Sequence, residues 1–175
     1  PLNDTGRAEA ARTAELLSGT QPHACLSPWT RTFSSPLSRA IETAQILSAA
    51  LQLSEPQIEH TLYERDFGPA EGLLVDEAHT RWPGLDIPGA ESLTELAGRT
   101  AATFDRLLHD SPGSIVVAHG AMIRAGLTHL TGSEIPRIIN GEVWILTSDA
   151  NRFRTHRLDT QPSSAQPPAP TAAQR

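Results

Sequence analysis

The sequence feature that most constrains the fold is a short apolar run that ends in a histidine. Residues 114–118 read Ser-Ile-Val-Val-Ala, and His119 and Gly120 follow directly. A run without charged residues, rich in β-branched side chains, is typical of a strand that is covered on both faces in a parallel sheet. Helical spacing then continues to residue 130 and stops at Gly132. This unit predicts a buried strand, a tight turn and a helix.

The rest of the chain alternates extended and helical patterns. Strands are predicted at residues 31–34, 57–60, 143–147 and 153–158, and helices at residues 4–19, 38–51, 75–82 and 92–109. Asp4 or Thr5 is the expected cap of the first helix, and Ser92 with Glu95 forms a capping-box pattern before a later one. Alternating strands and helices predict an α/β fold with a mostly parallel sheet, whose ligands bind at the carboxyl ends of the strands.

Composition excludes several classes of function. The formal net charge is −6, which argues against binding to nucleic acid or to an anionic membrane surface, and no apolar run is long enough to cross a membrane. The chain contains no lysine, so lysine-dependent chemistry is excluded. A single cysteine, Cys25, excludes an internal disulfide and favours the cytoplasm. Residues 1–159 are expected to form one domain, and residues 160–175, rich in Pro, Ala and Ser, a disordered tail.

The first candidate site residues are His119 and Gly120, at the predicted strand end. Free backbone N–H groups at the start of the following helix, together with its dipole, suit a phosphate group. The alternative is a hydrogen-bonded structural histidine, and the strand-end position brings the two interpretations to about equal weight.

The second candidate is Arg39, within the run Ser-Ser-Pro-Leu-Ser-Arg-Ala at residues 34–40. A cation in the first turn of a helix opposes the helix dipole, and binding of a phosphate would explain its presence. The alternative is a surface pair with Glu42, three residues further on.

The third candidate is Glu64, which begins the run Glu-Arg-Asp-Phe-Gly at residues 64–68. A carboxyl group above a pocket lined by arginine and histidine could donate a proton to a leaving alkoxide. The alternative is an exposed loop with salt bridges, as in most acidic loops.

Taken in order, these motifs resemble the histidine phosphatase (phosphoglycerate mutase-like) superfamily up to about Asp159. The resemblance rests on residues 4–7 (Asp-Thr-Gly-Arg), 34–40, 64–68, 88–92 (Pro-Gly-Ala-Glu-Ser) and 118–120 (Ala-His-Gly), in this sequence. It implies a three-layer α/β/α sandwich and catalysis through a phosphohistidine intermediate, with no metal and no other cofactor. It also implies that Arg39, His119 and Gly120 bind the phosphoryl group, and that Glu64 and His119 take part in catalysis, Glu64 as proton donor.

The nucleophile that this family uses has no counterpart in the chain. The family carries it in an Arg-His-Gly motif on a first strand, and no Arg-His-Gly occurs here. We therefore expect that a strand before Pro1 is missing from the chain. The short segment between Gly72 and Glu91 favours a phosphatase of small phosphorylated substrates over a phosphoglycerate mutase. A non-catalytic protein that binds phosphorylated ligands is the third hypothesis, and the oligomeric state is open, with a homodimer among the options.

Overall fold

The computed structural model describes residues 1–20, 29–150 and 152–158. The helices of this part are α1 (Asp4–Gly19), α2 (Ser38–Ala50), α3 (Val75–Arg81), α4 (Leu93–Asp110) and α5 (Gly120–Thr131). The strands are β1 (Arg31–Ser34), β2 (Gln57–Ile58), β3 (Ser114–Val117), β4 (Val143–Asp149) and β5 (Arg152–Leu158). Short 3-10 turns cover His60–Leu62, Gly68–Ala70 and Pro83–Leu85. The predicted order of elements is confirmed, although the second strand ends at Ile58, two residues earlier than expected.

Two sheets are present in the described residues. The first is parallel, with strand order β2-β1-β3, and the second is the antiparallel hairpin β4-β5. In the first sheet Ser34 lies opposite Ile58 on one side and Val117 on the other, so three strands end at the same edge. The predicted α/β class with a mostly parallel sheet is therefore confirmed.

The first helix differs in detail from the prediction. Its cap is Asn3, whose Oδ1 accepts a hydrogen bond from the Gly6 backbone N–H at 2.8 Å. Its buried residues are Ala10, Ala14 and Leu17, whereas Ala8 and Ala11 are exposed. An alanine-rich helix has little contrast between its faces, so the sequence does not determine which alanines pack against the core.

Helices α4 and α5 pack together over the main core. The predicted capping box is confirmed, with Ser92 and Glu95 bonded reciprocally at the start of α4. Gly126 of α5 lies so close to α4 that an added Cβ would approach Thr100 Cγ2 to 2.4 Å. The core between these helices and the sheet includes Phe33, Leu62, Leu96, Phe104, Leu107, Met122 and Leu127.

The segment between Glu64 and α4 has a small apolar core of its own. Ala70, Ala78 and Ile87 are buried in it, and Phe67 and Trp82 pack against them. Cys25 and the predicted tail at 160–175 lie outside the described residues. None of the helices in the described part has the length and apolar character needed to cross a membrane.

Candidate active site

Sheet topology places two of the candidate residues at one edge. Arg39 is the second residue of α2, which begins four residues after the end of β1, and His119 follows the end of β3 by two residues. Because β1 and β3 are adjacent and parallel, both connections leave the sheet at its carboxyl edge. Glu64 reaches the same place from the loop that follows the 3-10 turn His60–Leu62.

The three candidate side chains meet there. Arg39 Nη2 lies 3.2 Å from His119 Nδ1 and 3.4 Å from Glu64 Oε2. His119 Nδ1 lies 3.3 Å from the same Glu64 oxygen. Arg39, Glu64 and His119 therefore converge at one place, whereas the chemical role of each remains a prediction.

The His119 imidazole is buried and held from both ring nitrogens. The residue is 6% exposed, and its Nε2 lies 2.8 Å from the hydroxyl oxygen of Ser35. The Arg39 guanidinium can only donate, so His119 Nδ1 accepts from it and Nε2 carries the proton that it donates to Ser35. This network fixes the ring with Nδ1 toward the arginine and the carboxyl group.

The surroundings shift the pKa values of His119 and Glu64 in opposite directions. Burial, and secondarily the charge of Arg39, lowers the pKa of His119 to about 4, so that the ring is neutral at neutral pH. Burial raises the pKa of Glu64, against the opposing effects of the Arg65 backbone N–H and of Arg39. The contact between Glu64 and His119 is therefore not an ion pair at neutral pH.

Gly120 begins α5, where the backbone approaches another part of the chain closely. A Cβ at this position would lie 2.7 Å from the backbone oxygen of Ile138. Glycine therefore allows the turn after β3 to pack against this carbonyl while its helix N-terminus stays beside His119. The location suits the predicted phosphate-binding role of Gly120.

The alternative interpretation of Arg39, a surface pair with Glu42, is wrong. Glu42 accepts hydrogen bonds from Arg7 Nε and from the Leu2 backbone N–H, both at 2.7 Å. Arg7 also pairs with Asp4 at 3.1 Å. The Arg39 guanidinium instead points to the site, where it is about half exposed and able to bind an anion.

Comparison with known proteins assigns this arrangement to a family. The model of the histidine phosphatase superfamily (branch 1) matches residues 1–161. The chain belongs to the histidine phosphatase superfamily.

Curated relatives within this superfamily carry phosphatase and mutase names. The chain is 34% identical over 136 residues to the uncharacterized phosphatase PhoE of Bacillus subtilis, covering 77% of this chain and 66% of that protein. It is 36% identical over 138 residues to phosphoglycerate mutase-like protein 4 of Arabidopsis thaliana, covering 71% of this chain and 57% of that protein. The chain thus spans less than two thirds of the length of these relatives.

Solved structures support the same fold. A mycobacterial glucosyl-3-phosphoglycerate phosphatase in complex with VO3 superposes with a TM-score of 0.75 at 24% identity, covering 89% of this chain and 85% of that one. The YhfR protein of Bacillus stearothermophilus superposes with a TM-score of 0.72 at 21% identity, covering 90% and 83%. At this level of identity the likeness establishes the histidine phosphatase fold alone.

A large cavity lies between the two sheets of this histidine phosphatase domain. Its volume is about 1180 Å³, and its walls include residues 114–118 on one side and residues 143–148 on the other. Within the described part of the chain, β3 pairs only with β1 and β4 only with β5, so two strand edges face this cavity without partners. Arg39, Glu64 and His119 also line it.

Sequence reasoning assigned no role to Ser35, although it lies in the motif at residues 34–40. Its side chain is completely buried, and its backbone N–H bonds to the Val117 oxygen at 2.9 Å. The signal was a serine directly after a strand and before a proline, but the partner of its hydroxyl, His119, lies 84 residues away. No group of His, Cys, Asp and Glu suited to a metal ion occurs among residues 1–20, 29–150 and 152–158.

Proposed function

We propose that the whole protein is a phosphatase of small phosphate monoesters that works through a phosphohistidine intermediate, without a metal. The observation that carries this proposal is the contact between the Arg39 guanidinium, the neutral His119 ring and the Glu64 carboxyl group. A phosphoryl group in transfer needs its oxygens neutralised and its leaving oxygen protonated. Arg39 and the N-terminus of α5 at Gly120 supply the first, together with His119 once a bound phosphate dianion has favoured protonation of its Nδ1. Glu64 supplies the second.

The raised pKa of Glu64 supports its role as proton donor. Burial raises this pKa, so that a larger fraction of the carboxyl group is protonated near neutral pH than in water. After it has protonated the leaving alkoxide, the resulting carboxylate can take a proton from the water that attacks the phosphohistidine. One residue then serves both half-reactions.

The nucleophile is proposed to lie on a further strand before Pro1. The cavity between β3 and β4 supports this idea, because it offers two strand edges and reaches Arg39, Glu64 and His119. Pro1 and Leu2 line the same cavity. Trp144 also lines it, and its buried Nε1–H has no acceptor among the described residues. A strand paired to β3 in parallel would bring its carboxyl end to His119.

The proposal is tested by comparing this 175-residue chain with a chain extended by the residues encoded upstream. We expect the shorter chain to bind vanadate weakly without hydrolysing p-nitrophenyl phosphate, because charge stabilisation remains when a nucleophile is absent. We expect the extended chain to hydrolyse it and to melt at a higher temperature, since the added strand covers apolar side chains and unpaired backbone groups.

Three other results are informative. If the shorter chain hydrolyses the substrate and mutation of one of its own histidines abolishes this activity, that histidine is the nucleophile and the proposed position before Pro1 is wrong. Vanadate binding without turnover by the extended chain supports the non-catalytic hypothesis. Isomerisation of 3-phosphoglycerate faster than its hydrolysis supports a mutase, the activity named for a relative from Methylobacterium radiotolerans that is 36% identical over 124 residues.

A further inference from the structure

Outside the contact of Arg39, Glu64 and His119 lies another arginine, Arg99, that donates hydrogen bonds from all three nitrogens of its guanidinium group. Arg99 Nε and Nη2 each donate to one carboxylate oxygen of Glu91 at 2.7 Å. Arg99 Nη1 donates to the backbone oxygens of Thr61 and Tyr63 at 2.8 and 2.9 Å. A planar guanidinium offers five N–H donors in a fixed geometry, and few other side chains could bridge these groups at once.

The carbonyl groups that Arg99 holds belong to the loop that carries Glu64. The Tyr63 carbonyl is part of the peptide bond that joins Tyr63 to Glu64, so this hydrogen bond acts one residue from the proposed proton donor. The Thr61 carbonyl lies two residues further back, beside the completely buried Leu62. Two carbonyl groups shortly before Glu64 are therefore bound by one side chain.

Glu91 holds the same loop on the other side of Glu64. Its backbone oxygen accepts from Arg65 Nε at 2.8 Å, and its backbone N–H donates to the Asp66 oxygen at 2.9 Å. Arg99 binds the Glu91 carboxylate with two hydrogen bonds. The two residues therefore hold residues 61–66 together, Arg99 before Glu64 and Glu91 after it. Arg99 belongs to α4, and this helix is itself anchored in the core, since its residues Leu96 and Thr100 are completely buried.

We propose that Arg99 is a positioning residue that holds the Glu64 carboxyl group in reach of the phosphate site. The Glu64 loop has no strand to fix it there: the only regular element in residues 59–67 is the 3-10 turn His60–Leu62. Precise placement of a proton donor matters, because a misplacement of about 1 Å can lower a rate about a hundredfold. This inference rests on the proposed function, in which Glu64 donates a proton.

Arg99 also acts on Glu64 through its charge. Burial is the main influence on the pKa of Glu64 and raises it, while the charges of Arg39 and Arg99 lower it. The groups that face Glu64 are Arg39, His119 and the Arg65 backbone N–H. Loss of the Arg99 charge should therefore raise the pKa of Glu64 further.

The experiment compares Arg99→Met and Arg99→Lys with the control Arg106→Met. Arg106 lies two turns further along α4 and pairs with Glu59 at 2.5 Å, so it is also an arginine that contacts the Glu64 loop from this helix. It holds no carbonyl group next to Glu64. Melting temperature and circular dichroism establish that each variant is folded.

Two readouts are measured. In the 175-residue chain, carboxylate carbon NMR follows the titration of Glu64, which requires no turnover. In the extended chain, kcat and KM for p-nitrophenyl phosphate are measured across pH. Activity that requires protonated Glu64 falls as pH rises through the pKa of this residue, and this fall is the alkaline limb of the kcat profile. A raised pKa of Glu64 therefore moves the alkaline limb to higher pH.

We expect Arg99→Met to raise the pKa of Glu64, to move the alkaline limb to higher pH and to lower kcat about tenfold to a hundredfold with little change in KM. Arg99→Lys keeps the charge without the planar group, so kcat should fall while the Glu64 titration stays near that of the wild type. Arg106→Met should change neither readout.

The inference is overturned if folded Arg99→Met matches Arg106→Met in both readouts. If Arg99→Met does not fold, the test rests on Arg99→Lys. A folded Arg99→Lys variant whose kcat and alkaline limb both match the wild type overturns the inference. An extended wild-type chain without phosphatase activity contradicts the proposed function instead. The effect of Arg99 is then tested by the Glu64 titration in the 175-residue chain, which does not depend on activity.

Discussion

The Arg39 guanidinium and the His119 imidazole lie 3.2 Å apart, although 80 residues separate them in the sequence. Burial favours the neutral form of this histidine by lowering its pKa, and the nearby Arg39 cation acts in the same direction. The pair thus presents a permanent charge and a neutral hydrogen-bonding ring to the same small volume. A dianionic phosphate entering this volume would restore the charge balance and favour protonation of His119.

Arg39→Ala should weaken the binding of vanadate to the 175-residue chain about ten- to hundredfold, as expected for loss of a charge-assisted hydrogen bond. Arg39→Lys should give an intermediate affinity, since an ammonium group keeps the charge without the two-pronged geometry. Isothermal titration calorimetry measures both, with Arg106→Ala as control because Arg106 pairs with Glu59. An Arg39→Ala variant that binds as tightly as the control would exclude Arg39 from the phosphate site.

His119 should make stability depend on pH. Its pKa is about 4 in the folded chain against about 6.5 in an unfolded one, so the unfolded state binds more protons between these values. The contribution of His119 to the free energy of unfolding is fully present above about pH 6.5 and is lost as pH falls toward 4. This contribution amounts to about 3 kcal/mol at most. Urea unfolding of the wild type and of His119→Asn at several pH values measures this difference.

The His119→Asn variant should show a weaker loss of stability between pH 6.5 and 4 than the wild type. A substitution at the exposed His109, His109→Asn, is the matched control. Glu64, with a raised pKa, acts in the opposite sense: its contribution is present at low pH and is lost as pH rises through its folded pKa. Equal slopes for His119→Asn and His109→Asn would contradict the assigned burial of a neutral His119.

Gly120→Ala should destabilise the fold by about 1–3 kcal/mol, since its Cβ must displace the Ile138 carbonyl. Gly98→Ala is the matched control, because Gly98 lies inside α4 with open space around it. That control should stabilise the fold by about 0.4–1 kcal/mol. Thermal unfolding distinguishes the two, and a Gly120→Ala variant as stable as Gly98→Ala would show that α5 can shift freely.

Phosphatase activity of the extended chain should survive EDTA, because the proposed site neutralises the phosphate with an arginine and a helix N-terminus. The rate of p-nitrophenyl phosphate hydrolysis before and after prolonged chelation checks this expectation. A loss of activity that added zinc or magnesium restores would replace the phosphohistidine mechanism with metal-assisted hydrolysis.

Prediction from sequence succeeded where the signal is local. The capping box of Ser92 and Glu95 lies within four residues, and the hydrogen bonds that it requires are present. The strand at Ser114–Val117 was recognisable from its apolar run, and the end of α5 from Gly132, which has a positive φ of 65°. The capping box and the helix end are stabilised mainly by neighbours in the chain, and the strand is recognisable because its residue types form a continuous local run.

Prediction failed where distant partners decide. The alternative interpretation paired Arg39 with Glu42 through helical spacing, yet Arg7 and the Leu2 backbone N–H, which belong to another segment, bond to Glu42 instead. Ser35 and Arg99 received no role, because the groups that they hold lie 84 and up to 38 residues away in sequence. Spacing along a helix does not reveal a competing partner from elsewhere in the fold.

The sequence by itself determined the order of elements, the α/β class and the residue types able to handle a phosphate, since propensity and periodicity act over short distances. Only the tertiary structure decided that Arg39, Glu64 and His119 are in contact and that His119 is neutral there. It also decided that Arg99 binds the carbonyl groups of the Glu64 loop. The reason is that burial, Coulomb interaction and hydrogen bonding depend on distances in space, which parallel pairing of β1 with β3 sets for residues remote in the chain.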